Sequence, residues 1–265
     1  MRENATTSLP ADDPKQVSAL VRGLAILKCF SPQERLLTNA DLSLRTSLPK
    51  ATVSRLAYTL CKQGYLRQVK PDGAYQLSVE GLSLGLSVIA ATGLKDRAAD
   101  ELEYLARDDD PNIAAALGEM HRDSVVYLAT HGSSEGMAMT FHLGAKVPLL
   151  TSAIGRAVIV ALPDDQQEQI LARLCEKASD DLTARLRMGL DKARQDYAQY
   201  GFCTSFGDWN PRINAIAAPF LSADKKRVFA VNVGGFSFFT REDNLINHYG
   251  PRLLQAVENL AIASI

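Results

Sequence analysis

The chain has 265 residues, enough for one large domain or two ordinary ones, and 46% hydrophobic with 22% charged residues is the balance of a well-filled core. A net charge of −1 gives no hint of nucleic acid, and no apolar run is long enough to span a bilayer, so a soluble, cytoplasmic protein is expected. Four dispersed cysteines, Cys29, Cys61, Cys175 and Cys203, exclude a disulfide framework or a Cys-based metal cluster and read as reduced, mostly apolar fillers.

Residues 1–15 are polar, carry Pro10 and Pro14, and read as a disordered tail rather than a signal peptide. Helical spacing of Leu20, Val21, Leu24 and Leu27 predicts a helix over Val17–Phe30, ended by Ser31-Pro32. Thr38-x-x-Asp41 is a capping box that opens a second helix, and Ser47-Leu48-Pro49 makes a turn with Pro49 suited to a first helical position. A third helix then runs from about Pro49 to Gln63. Val53, Leu56, Ala57 and Leu60 form its apolar stripe, while Ala51, Arg55, Tyr58 and Lys62 point away from it. Gly64 stops this helix, and Tyr65–Val69 with Ala74–Leu77 form a hairpin around Lys70-Pro71-Asp72-Gly73. Helix, turn, helix and hairpin in this order make a winged helix-turn-helix over residues 16–77, whose second helix enters a DNA major groove.

The charge distribution agrees. Residues 16–77 hold nine Lys/Arg against three acids, whereas residues 78–265 hold 18 Lys/Arg against 24 acids. A basic module on an acidic one fits a polyanion partner for the first. Within the module, a guanidinium reads guanine with two parallel bonds, so Arg55 is expected to contact a base. Lys50 and Thr52 suit phosphates, Ser54 suits either, and Arg67 and Lys70 on the wing suit the flanking backbone. Thr38 and Tyr58 complete the DNA-facing set.

Residues 78–93 read as a linker helix, with Leu82, Leu84, Leu86, Val88 and Ile89 apolar on more than one side, expected to dock on a second copy of the chain. From residue 94 to 265 the order is mixed. An amphipathic helix to Arg107 breaks at Asp108-Asp109-Asp110-Pro111. Strands Ile113–Leu117 and Val125–Ala129 follow, joined through Glu119–Asp123, with a further strand at Met137–Phe141. Helices over Ser152–Leu162, Asp164–Lys177 and Thr183–Tyr200 precede strands Ile213–Phe220 and Val228–Val233, and a helix from Arg241 closes the chain. This predicts an α+β domain around an antiparallel sheet.

Several stretches are similar to the IclR family of bacterial transcription regulators, over about Val17 to Ile262. They are VSALVRGLAILKCF, SLPKATVSRLAYTLCKQGYL and GAYQLS in the first module. In the second they are VVYL at 125–128, HLGAKVPLLTSAIGRAVIVALP at 142–163, Tyr200-Gly201-Phe202 and AIAAPF at 215–220. The resemblance implies a winged helix domain, a linker helix and a GAF-like effector domain. It also implies a dimer or dimer of dimers that binds double-stranded operator DNA, requires no cofactor and answers a small carboxylate. Its effector positions fall on Met139, Val147, Thr151, Ser152, Ala153, Ile154, Gly155, Ser205, Ile213, Ala215, Asn232 and Gly234.

The chain departs from relatives that carry acids after the Tyr-Gly step, having Thr204-Ser205-Phe206-Gly207-Asp208-Trp209 there. Phe206, Trp209, Phe236, Phe238 and Phe239 add aromatic bulk, so an apolar pocket for an aromatic or longer acid is expected. Arg156 is expected at the surface. His121, His131, His142 and His248 lack ligand spacing, and Ser152 and Ser205 lack a base, so neither a metal site nor catalysis is expected. The leading reading is a ligand-responsive repressor or activator of a catabolic operon. The alternatives are a regulator whose second domain only dimerises, and an enzyme with an appended winged helix.

Overall fold

The computed structural model describes residues 14–31, 34–69, 73–91, 95–106, 110–132, 142–176, 178–222 and 224–262. The chain divides into two compact units, Met1–Val88 and Ile89–Ile265. The expected N-terminal tail (but for Pro14 and Lys15), the tip of the wing and the strand at Met137–Phe141 lie outside the described residues.

The first unit contains α1 (Ser18–Leu27), α2 (Asn39–Thr46), α3 (Lys50–Lys62), β1 (Leu66–Val69) and β2 (Ala74–Leu77). The first helix is shorter than its apolar spacing predicts because the Cys29 N–H turns back to the Ile26 carbonyl. The capping box of α2 is formed: the Asp41 N–H donates to Thr38 Oγ1, and the Thr38 N–H donates to the Asp41 carboxylate at 2.8 Å. Pro49 stands at the N-cap of α3, one residue earlier than expected. Gly64, in the left-handed region at φ 79, releases the chain into β1. Ile26, Leu42, Leu48, Val53, Ala57 and Leu66 close a small core, and Leu37 bridges to Tyr75 so that the wing is tied to the helices.

α4 (Glu80–Ala91) follows, and its residues 81–88 are exposed on every side. Leucines at 82, 84 and 86 and Val88 therefore stand in water, and Gly81 and Gly85 leave open space around the backbone. No packing within the described residues offsets their cost.

The second unit is a six-stranded antiparallel sheet with helices on both faces. Its strands are β3 (Ala114–His121), β4 (Ser124–Gly132), β5 (Lys146–Pro148), β6 (Cys203–Phe206), β7 (Ile213–Leu221) and β8 (Val228–Phe236), in the order β5-β4-β3-β8-β7-β6. On one face lie α6 (Ala153–Val160), α7 (Asp164–Cys175) and α8 (Asp180–Tyr200). On the other lie α5 (Lys95–Ala106) and α10 (Gly250–Ile262). The final helix is interrupted: α9 (Glu242–Asn244) leads into a π turn at Leu245–Tyr249 before α10.

Two expectations are corrected, and two strands are added. Glu119–His121 continue β3 rather than forming a connection, because Glu119 pairs along the sheet with Phe229 and its carboxylate accepts twice from Arg227 at 2.7 Å. Only Arg122 and Asp123 turn the hairpin, with Arg122 at φ 55. α8 begins three residues earlier than expected because the Ser179 hydroxyl caps it. β5 and β6 are too short for their alternation to be seen, and they form only as edges paired to β4 and β7.

Candidate functional sites

In the first unit α3 buries Val53 and Ala57 and turns its opposite side to solvent. Lys50, Ser54, Arg55 and Tyr58 are exposed, and Thr52 is half-buried. The Lys62 ammonium stands 5.5 Å over the Tyr58 ring. On the wing, Arg67 is exposed and donates to Gln76 Oε1 at 3.0 Å, while Lys70 lies outside the described residues. Thr38 is exposed, but its hydroxyl is already engaged with Asp41 at 2.6 Å. Arg45 is also spoken for, donating to Glu34 Oε1 at 2.6 Å and to the Cys29 carbonyl at 3.2 Å. The cations left on the solvent side of α3 and β1 therefore include Lys50, Arg55, Lys62 and Arg67.

In the second unit a small cavity lies between the sheet and the start of α6. Eight of the expected effector residues line it: Val147, Ser152, Ala153, Ile154, Ser205, Ile213, Ala215 and Asn232. They come from β5, α6, β6, β7 and β8, far apart in sequence. The space has room for about one water molecule. Thr151 is buried beside it but does not line it; its carbonyl accepts from Ser205 Oγ at 2.8 Å. Gly155 and Gly234 shape the walls instead. A Cβ on Gly155 would overlap the Pro148 carbonyl, and one on Gly234 would overlap Asn214 and Ala215. Met139 lies outside the described residues.

The floor is built from small side chains. Ala114, Ala116, Ala215, Ala217 and Ala230 face α6, so the helix can approach the sheet closely. Gly118 continues that floor, since any Cβ there would push on Val125 and Ile154. Leu150 precedes the helix in a left-handed conformation at φ 61, an uncommon choice for a branched residue. Arg156 holds it there: Nε donates to the Leu150 carbonyl at 2.9 Å, and Nη1 to the Thr204 carbonyl and Asp208 Oδ2, both at 2.6 Å. At 4% exposed, Arg156 is a buried clamp and not the surface residue its position predicted.

The N-cap is Ser152, whose hydroxyl accepts from the Gly155 N–H at 3.1 Å and donates to the Pro148 carbonyl at 2.6 Å. Helix geometry leaves the first N–H groups without partners in the helix, and those of Ala153 and Ile154 belong to residues that line the cavity. At the other wall, the side chain of Asn232 hydrogen-bonds the phenol of Tyr127, and burial pushes that phenol up out of its ordinary range.

Sequence reasoning missed Tyr127 as a lining residue. The signal was its alternation with Val125, which puts both on the α6 face. Trp209 also lines the cavity, but its aromatic companions do not. Alternation that turns Ser205 inward sends Phe206 to the opposite core, and Phe238 is 88% exposed. Ser152 and Ser205 give their hydroxyls to backbone carbonyls, and burial raises the Cys203 thiol, so none of the three is an activated nucleophile. Among the described residues no group of three or more His, Cys, Asp or Glu is placed to hold a metal ion.

Residues 19–70 match the IclR helix-turn-helix domain, and residues 86–262 match the bacterial transcriptional regulator IclR C-terminal domain. The HTH-type transcriptional regulator TsaQ1/TsaQ2 of Comamonas testosteroni is 30% identical over 246 residues, covering 92% of this chain and 87% of that protein. An IclR family transcriptional regulator from Brucella abortus superposes with a TM-score of 0.83 at 36% identity, over 98% of this chain and 97% of that one. An IclR homolog from Microbacterium hydrocarbonoxydans complexed with 4-hydroxybenzoate shares the fold, with a TM-score of 0.74 at 17% identity over 93% of this chain and 98% of that one. These relatives are named as regulators or homologs of regulators, not as enzymes. With an exposed basic recognition helix in one unit and a walled cavity in the other, the chain belongs to the IclR family of transcriptional regulators.

Proposed function

We propose that this regulator reads operator DNA in its first unit and senses a small organic acid in its second, so that the acid governs a catabolic operon. The observation that carries the sensing half is the cavity at the start of α6. There the N–H groups of Ala153 and Ile154 and the positive end of the helix favour an anion. The Microbacterium homolog's 4-hydroxybenzoate supports an aromatic acid. A ring exceeds the present space, so binding requires an outward movement of the wall, and Trp209, 38% exposed, is the lining residue with a path to solvent.

For the DNA half, Arg55 contacts a base, while Lys50, Thr52 and Arg67 hold the backbone and position α3 in the groove. The apolar surface of α4, with Val17, Leu20 and Leu24 of the α1 region, is covered by a second copy of the chain. A symmetric dimer then presents two recognition helices to half-sites about one helical turn apart or a multiple of that, in the cytoplasm where the DNA lies.

Two titrations test this. Arg55→Ala should lose about 1–3 kcal/mol on its operator and relax discrimination at one position; unchanged discrimination removes Arg55 from readout. Calorimetry with benzoate, 4-hydroxybenzoate and pyruvate should show binding of an acid that is lost from Ser152→Pro, which disrupts the capping of α6. Absence of binding by every acid would leave the second unit as an assembly domain.

A further inference from the structure

We infer that the acid this cavity takes carries a hydroxyl group, held by Asn232 at the wall formed by the sheet. The inference rests on the reading of the cavity as an acid sensor and adds the second functional group of the ligand.

Asn232 is 2% exposed, lines the cavity, and its Oδ1 has no hydrogen-bond partner. A buried, unpaired amide oxygen destabilises the folded state. The register explains why it stays. Asn232 sits in the middle of β8, flanked by Ala116 on β3 and Ala217 on β7. Neither neighbour can reach it with a polar atom, and the small floor around it is apolar. A Val or Ala at 232 would continue the floor without cost, as Ala230 does two residues earlier on the same face.

Tyr127 supplies the other half of the wall. It faces α6 by alternation with Val125 along β4. The phenol and the amide already hydrogen-bond one another, which leaves the amide oxygen as the unanswered group. A hydroxyl can donate to this oxygen. The space present between these walls is that of one such group. A second carboxylate would not serve, since it brings only acceptors to an acceptor.

The test is calorimetry on the full chain with matched acids: benzoate against 3- and 4-hydroxybenzoate, and butyrate against 3- and 4-hydroxybutyrate. Wild type should bind at least one hydroxy acid about tenfold or more tightly than its parent. Asn232→Leu should erase that preference, so that each hydroxy acid and its parent bind alike; urea unfolding followed by Trp209 fluorescence serves as the folding control. If acids bind but the hydroxyl brings no preference, or the preference survives in Asn232→Leu, the inference fails while the acid-sensing reading stands. The wild-type comparison alone decides this should the variant not fold. If no acid of either set binds, the acid-sensing reading fails and this inference falls with it.

Discussion

Arg156 and Asp208, 52 residues apart, meet at 2.6 Å, and the pair joins the first turn of α6 to the loop that carries Trp209. Asp208 also receives Arg185 on its backbone carbonyl at 2.7 Å. One wall of the cavity is thus tied to the other through a buried guanidinium. Removing one partner of such a pair leaves the other in a poor environment. Asp208→Ala is expected to destabilise the second unit by about 2–4 kcal/mol, less than a fully buried pair because Asp208 is partly exposed. Arg156→Met, which removes the charge itself, should cost less than would be lost by stranding it. Urea unfolding followed by Trp209 fluorescence measures both.

The capping box of α2 should be visible in acid. The Thr38 hydroxyl and N–H hold the Asp41 carboxyl below its ordinary range. A carboxyl lowered in the folded state contributes stability above its unfolded value, near pH 4, and loses it as pH falls through the lowered value. Asp41 is half-buried and its hydrogen bonds to Thr38 are exposed, so the effect is small. Thr38→Ala should cost about 1 kcal/mol at pH 7, and the difference between wild type and Asp41→Asn should shrink as pH falls below about 4. A difference that holds constant from pH 7 to pH 2.5 in thermal melts would show that the carboxylate charge is not what caps the helix.

Gly189→Ala should be among the most damaging small changes in the second unit. A Cβ at 189 would overlap the carbonyl of Leu150, the same oxygen that Arg156 Nε engages. Backbone, not a flexible side chain, is in the way, so α8 must move from the turn before α6. A loss of about 1–3 kcal/mol in denaturant unfolding is expected, together with weaker acid binding.

Charges on the exposed apolar face of α4 should alter assembly. Leu82→Glu with Leu86→Glu removes apolar surface that no described residue covers. Light scattering after gel filtration should give a lower mass than wild type, with unchanged circular dichroism. Operator affinity should fall with it, since two half-sites can no longer be engaged together. An unchanged mass would place the second copy elsewhere.

Lys50→Ala should weaken DNA binding about equally across sequences and lower the salt slope by about one, as expected for a phosphate contact. Gel-shift titrations between 50 and 200 mM salt, a range in which such contacts differ most, measure this.

Local pattern carried the first unit almost whole. Thr38 and Asp41 three residues apart, Pro49 before an apolar stripe and Gly64 after it are signals that act within one or two turns, so the helices were legible to within a few residues. The second unit was harder. β5 has three residues and β6 four, and each exists because a longer strand offers it hydrogen bonds. The burial of Arg156 was invisible for the same reason, since two of its acceptors, at Thr204 and Asp208, lie about fifty residues away.

By itself the sequence determined the class of target, because a recognition helix is specified by spacing, caps and exposed charge within some forty residues. It also determined the family and most of the residues that come to line the cavity. Only the tertiary structure decided how that cavity is walled. It turned Tyr127 and Ser205 inward and Phe206 away, buried Arg156 as a clamp, and left the Asn232 amide oxygen without a partner. These outcomes depend on strand register and on which face each residue takes, and register is set by pairing between distant segments rather than by any one of them.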